Sequence, residues 1–126
     1  MTTAPDTLFK ITRKTDGISA AERERIVANP GFGRAFTDHM VVITYTEGRG
    51  WHSAEITPRQ PLVLDPAASV LHYAQEIFEG MKAYRAHDGG ILLFRPEANA
   101  RRFRKSAERM AMADLPEDPF LEAVSQ

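Results

Sequence analysis

The strongest constraint on the fold is a pair of strand-forming stretches separated by a glycine turn. Residues 40–46 are mostly β-branched or aromatic, residues 47–50 read Glu-Gly-Arg-Gly, and residues 51–57 again have strand-forming character. Two strands joined by so short a connection can pair only antiparallel. The sequence therefore predicts a β-hairpin here.

A second hairpin and an amphipathic helix follow. Residues 80–86 and 90–94 flank the turn His87-Asp-Gly-Gly90, and Pro96 opens a helix expected to reach about Met112, with apolar and charged residues on opposite faces. Residues 62–64 are expected to be extended, and residues 67–77 to form a short helical turn. The order predicts an α+β domain, an antiparallel sheet of hairpins packed against the helix, over residues 36–126.

The two ends of the chain have a different pattern. Residues 1–35 are expected to form a tail with a short strand at residues 8–12 and a helix at residues 20–28, capped by Ser19 and ended by Asn29-Pro30-Gly31. At the other end, Asp118 is the predicted N-cap of a last helix. Because few residues follow Asp118, we expect the native protein to continue into a second domain.

Composition excludes several classes of protein. A net charge of −1 gives no electrostatic basis for binding nucleic acid or an anionic membrane, and no apolar run approaches the roughly 18 residues needed to span a bilayer. The absence of cysteine excludes disulfides and thiolate catalysis. These features favour a soluble, cytoplasmic protein.

Common catalytic motifs are weak or missing. Gly31-Phe-Gly33 resembles the start of a dinucleotide-binding loop, but Phe36 replaces the third glycine and no strand precedes it, which favours a flexible linker. The four histidines lack metal-ligand spacing, so no metal site is predicted. No serine lies in a nucleophile elbow, although one sequence leaves a Ser-His-Asp triad open.

Three ordered motifs carry a resemblance. They are Phe36-Thr-Asp-His-Met40, the stretch from Leu71 to Arg85 with His-Tyr, Phe-Glu-Gly and Lys-Ala, and Phe94-Arg-Pro96 followed by Asn99-Ala-Arg-Arg102. In this order and spacing the chain resembles the branched-chain amino acid aminotransferases, from about Pro30 to Phe120. The resemblance implies the small N-terminal domain of a fold type IV enzyme that uses pyridoxal 5'-phosphate (PLP). It further implies a homodimer and reversible amino transfer between Leu, Ile or Val and 2-oxoglutarate.

The resemblance also implies roles for individual residues. Arg102 matches the arginine that binds the PLP phosphate, a role that suits a guanidinium with paired donors. Phe32, Tyr73 and Phe78 match aromatic residues that line the apolar substrate pocket, and apolar side chains are what Leu, Ile and Val require.

No catalytic residue is predicted in this chain. Its four lysines are Lys10, Lys14, Lys82 and Lys105, and none matches the family's catalytic lysine, which belongs to the second domain. By itself the chain is therefore expected to be inactive. Two alternatives remain open at this stage. One is another fold type IV enzyme, a D-amino acid aminotransferase or an aminodeoxychorismate lyase. The other is a free-standing, non-catalytic interaction domain.

Overall fold

The computed structural model describes residues 8–126, and the chain divides into two compact units, Met1–Leu62 and Val63–Gln126. The elements are strands and helices in mixed order, so the predicted α+β class is confirmed. Among the described residues, no helix is long and apolar enough to cross a membrane.

The first unit is built on a three-stranded sheet. Strands β2 (His39–Thr46) and β3 (Gly50–Pro58) pair antiparallel, which confirms the first predicted hairpin, and Gly48 takes a positive φ of 79° in the turn. Strand β1 (Lys10–Ile11) pairs with β3 in parallel, so the sheet order is β1-β3-β2 and the sheet is mixed rather than purely antiparallel. The segment expected to be a tail thus supplies an edge strand.

Helix α1 (Ala20–Ala28) forms where the sequence predicts it. The Ser19 side chain accepts a hydrogen bond from the backbone N–H of Glu22 at 3.2 Å, and Asn29 is the C-cap. This satisfies one of the donors that the first helical turn leaves without a partner. The predicted helix and its cap are confirmed.

Two side chains at the start of β2 tie the segment before α1 to the sheet. Nε2 of His39 accepts a hydrogen bond from the backbone N–H of Lys14 at 2.9 Å. Oδ2 of Asp38 accepts from the N–H of Ile18 at 3.2 Å, and its Oδ1 lies 3.5 Å from Nζ of Lys14. The Asp-His pair of the first motif therefore fixes the entry to α1.

The second unit contains helix α2 (Ser69–Tyr73), strands β4 (Ala83–Arg85) and β5 (Ile91–Leu93), helix α3 (Pro96–Arg109) and helix α4 (Glu117–Ser125). β4 and β5 pair antiparallel, which confirms the second hairpin. Residues 62–64, predicted to be extended, belong to neither a strand nor a helix. The predicted N-cap at Asp118 is wrong: Pro116 takes the extended conformation of an N-cap, with no side-chain cap, and Asp118 already lies in the first helical turn.

α3 packs against α4. The rings of Phe103 and Phe120 lie 5.4 Å apart, and Ala100 and Ala107 of α3 are each 1% exposed. Arg104 pairs with Asp114 at 3.0 Å and with Glu117 at 3.6 Å, and Arg101 lies 3.8 Å from Glu117. This packing fixes which side of α3 is left for other contacts.

Candidate functional site

The beginning of α3 places Asn99 and Arg102 on one side of the helix. Arg95 precedes the helix in the left-handed region (φ 49°), and Pro96 occupies the first turn, where its missing N–H costs nothing. Residues three apart on a helix are neighbours on its surface. Asn99 is 6% exposed, whereas the Arg102 side chain is 58% exposed, so the pair runs from the interior to the surface.

Glu79 joins this pair. Its carboxylate accepts two hydrogen bonds from Arg102, from Nε to Oε2 at 3.1 Å and from Nη2 to Oε1 at 2.7 Å. Nδ2 of Asn99 donates to Oε1 of Glu79 and to the carbonyl oxygen of Gly80, both at 2.9 Å. The three side chains form one hydrogen-bonded network that fastens the segment at Glu79 to α3.

The network favours the charged form of both ionisable members. The hydrogen bonds from Arg102 hold the pKa of Glu79 below its ordinary value, and the bond from Asn99 adds to the effect. The bond to Glu79 raises the pKa of Arg102 in turn. At neutral pH the pair is an ion pair with bidentate geometry, and the Glu79 side chain is only 13% exposed.

The donor set of Arg102 fits a phosphate group. A guanidinium carries five N–H donors, and Glu79 takes one from Nε and one from Nη2. Within residues 8–126, Arg102 has no other hydrogen bond or ion pair, so its Nη1 donors and the second Nη2 donor are available. That edge of the guanidinium can donate two parallel hydrogen bonds to an oxyanion.

An open depression of about 430 Å³ lies beside the network. Asn99 and Gly80 belong to both, and the other lining residues are Met81, Lys82, Tyr84 and Phe94. Its wall is therefore mainly apolar, with one cation and one amide. This composition suits a ligand that combines an aromatic or aliphatic body with a negative charge.

The predicted substrate residues are divided between the two units. Phe32 is fully exposed in the first unit, whereas Tyr73 and Phe78 belong to the second unit and are 82% and 90% exposed. Tyr73 makes an edge contact with the ring of His72, and Phe78 does not line the depression. Their substrate role stays a prediction.

The sequence assigned no site role to Glu79 or Asn99, although the helical register places Asn99 on the same side of α3 as Arg102. Both lie inside the motifs that carry the resemblance, Glu79 in Phe-Glu-Gly and Asn99 three residues before Arg102. The helical spacing of Asn99 and Arg102 was a usable signal for a polar pair. Arg101 is directed elsewhere, toward Glu117 of α4. Within the described range no cluster of three histidine or acidic side chains could hold a metal ion.

Comparison with known proteins shows which family the chain belongs to. No protein-family profile matches the chain. Among curated proteins, a probable branched-chain-amino-acid aminotransferase of Streptomyces coelicolor is 61% identical over 106 residues, which cover 84% of this chain and 29% of that protein. The branched-chain-amino-acid aminotransferase of Mycolicibacterium smegmatis is 55% identical over 118 residues, 94% of this chain and 32% of that protein.

A further relative, branched-chain-amino-acid transaminase 1 of Bacillus subtilis, is 55% identical over 96 residues, 76% of this chain and 27% of that protein. The chain thus spans about a third of the length of the curated relatives that it matches. The chain belongs to the branched-chain-amino-acid aminotransferase family.

Proposed function

We propose that the protein of which this chain is a part is a branched-chain amino acid aminotransferase that uses PLP. The observation that carries the proposal is the fixed guanidinium of Arg102, which leaves one edge available for the cofactor phosphate. The names of relatives at 52–61% identity support the reaction class. The substrates would be Leu, Ile or Val with 2-oxoglutarate or glutamate.

The residues of this chain would bind and orient rather than perform the chemistry. PLP, when bound, supplies the electron sink for amino transfer. Arg102 would hold the phosphate, and Phe32, Tyr73 and Phe78 would surround the aliphatic side chain of the substrate. All three side chains are exposed in this chain, as expected for residues of a substrate pocket whose remaining wall comes from other parts of the protein.

The catalytic lysine would lie in the part of the relatives that this chain does not span, in a second domain following the small α+β domain of residues 36–126. We also propose a homodimer. We propose a cytoplasmic location as well, with which the absence of cysteine in this chain is compatible.

Two experiments on the full-length protein test the proposal. A coupled assay with leucine, 2-oxoglutarate and PLP should show turnover that saturates in leucine. D-Alanine should not replace leucine, and turnover with D-alanine instead would favour a D-amino acid aminotransferase. No turnover with either, in a protein that fails to bind PLP, would favour an interaction domain.

The cofactor role of Arg102 is tested by substitution. R102A should weaken PLP binding about ten- to a hundredfold, since a charge-assisted phosphate contact contributes about 1.5–3 kcal/mol. R101A is the matched control because Arg101 contacts Glu117 at 3.8 Å on the exposed surface, and it should leave PLP affinity nearly unchanged. Equal losses in the two variants would contradict the assignment.

A further inference from the structure

The guanidinium of Arg102 has two edges that can each form a bidentate contact, and one of them is already occupied. Glu79 occupies the edge formed by Nε and Nη2, at 3.1 and 2.7 Å. The edge formed by Nη1 and Nη2 points away from this carboxylate. An arginine held by the first edge can present only the second one to a ligand.

Glu79 is itself held in place. Nδ2 of Asn99 donates to Oε1 of Glu79 and to the carbonyl oxygen of Gly80, so the carboxylate and the backbone that follows it are joined to α3 by one buried amide. A braced carboxylate restricts a long side chain that would otherwise move among many rotamers. Asn99 therefore holds Glu79 in place, and Glu79 in turn holds Arg102.

The charge of Glu79 and its position have opposite effects on an anion. As a negative charge close to Arg102, it should repel a phosphate dianion and weaken its binding. As a fixed hydrogen-bond acceptor, it should strengthen phosphate binding, because the donors are already oriented before the ligand arrives. Removal of the carboxylate should therefore strengthen phosphate binding if repulsion dominates, and weaken it if positioning dominates.

We infer that Glu79 is a positioning residue for the cofactor phosphate, which acts by holding Arg102 with its Nη1–Nη2 edge toward the phosphate. The inference rests on the proposed function, since it takes Arg102 as the phosphate ligand. Positioning outweighs repulsion here because a phosphate at the Nη1–Nη2 edge would have the guanidinium, whose positive charge offsets that of the carboxylate, between itself and Glu79. The Arg102 side chain is also 58% exposed, so an unbraced guanidinium would be free to take many other orientations.

The test uses the full-length protein and measures the affinity for PLP and for pyridoxal, which lacks the phosphate. E79Q keeps the shape of the side chain and removes its charge, whereas E79D keeps the charge and withdraws it by one methylene. Both should weaken PLP binding about tenfold, the effect of one charge-assisted hydrogen bond. Pyridoxal affinity should stay within about twofold, because no phosphate is present for Arg102 to bind.

E76Q is the matched control, since Glu76 is an exposed glutamate in the same segment, and it should bind PLP like the unsubstituted protein. In the R102A background, E79Q should cause no further loss, because Glu79 acts only through Arg102. Thermal unfolding of each variant separates lost affinity from lost fold. Should E79Q unfold, E79D still gives the answer.

Several results would overturn the inference. Tighter PLP binding by E79Q would mean that repulsion outweighs positioning, and equal loss of PLP and pyridoxal would mean that Glu79 supports the fold alone. Unchanged PLP affinity in R102A would remove the phosphate ligand on which the inference depends. The failure of the proposed function is a separate result: absence of transaminase turnover would refute the activity, while the PLP titrations would still report on positioning.

Discussion

Replacement of Asn99 by alanine should loosen the network by an amount that the structure allows us to work out. Asn99 is the buried polar residue of the described chain, at 6% exposed, and its Nδ2 makes two hydrogen bonds of 2.9 Å. The bond to the carboxylate of Glu79 contributes about 1.5–3 kcal/mol and the bond to the carbonyl of Gly80 about 0.5–1.5 kcal/mol. The higher helix propensity of alanine offsets roughly 0.6 kcal/mol of this loss.

The net free-energy cost of N99A should lie in the lower part of the range that these contributions allow. Glu79 keeps its two bonds from Arg102, and the carbonyl of Gly80 belongs to an exposed residue that water can reach. We therefore expect N99A to lower the local opening free energy of α3 by about 2 kcal/mol, which corresponds to roughly 30-fold faster hydrogen exchange.

Hydrogen exchange of the full-length protein, followed by mass spectrometry on peptides that cover α3, measures this change. K105A is the matched control, since Lys105 is exposed on the same helix, and it should change the exchange rate less than threefold. An effect of N99A as small as that of K105A would refute the reasoning that the amide fastens Glu79 to α3.

Three further predictions concern pH, the first motif and the separate chain. Because the pKa of Glu79 is lowered in the folded state, the stability that depends on its ionisation is fully present above the unfolded pKa of about 4.3 and is lost as pH falls through the folded pKa. The stability difference between the unsubstituted protein and E79Q, from urea titrations, should be constant from about pH 6 to 8 and shrink below about pH 4; a loss near pH 7 would contradict this. D38A should speed exchange of the Ile18 amide about three- to tenfold, because one hydrogen bond is removed, whereas D16A, at an exposed aspartate, should not. The 126-residue chain alone should show no leucine-dependent transamination and should self-associate through exposed apolar groups such as Phe78, as judged by light scattering across a concentration series; a strict monomer would contradict the last point.

Features set by neighbouring residues could be predicted from the sequence. The Ser19 cap and the helix it opens, both glycine turns and the start of α3 at Pro96 all lie where local rules place them. Each depends on contacts within a few residues, so a single sequence contains the information. The proposed role of Arg102 as a phosphate ligand rests instead on the resemblance and on the paired donors of a guanidinium.

Features that depend on distant partners could not be predicted. Glu79 meets Arg102 across an intervening hairpin, and no local pattern says which acidic residue an arginine will choose. The parallel pairing of Lys10 with Glu55 is equally non-local. The start of α4 was predicted two residues too late for a different reason. Asp118-Pro119 has the local composition of a cap and a first-turn proline, but Pro116 takes the extended N-cap conformation and Glu117 begins the helix.

The parallel edge strand also constrains the order in which the first unit can fold. β1 is synthesised before β3, yet β3 lies between β1 and β2 in the sheet, so β1 has no partner until the hairpin strand has left the ribosome. The hairpin needs only a short turn to form, whereas β1 must close a long loop that includes α1. The hairpin should therefore act as the template, and β1 should dock last and detach first.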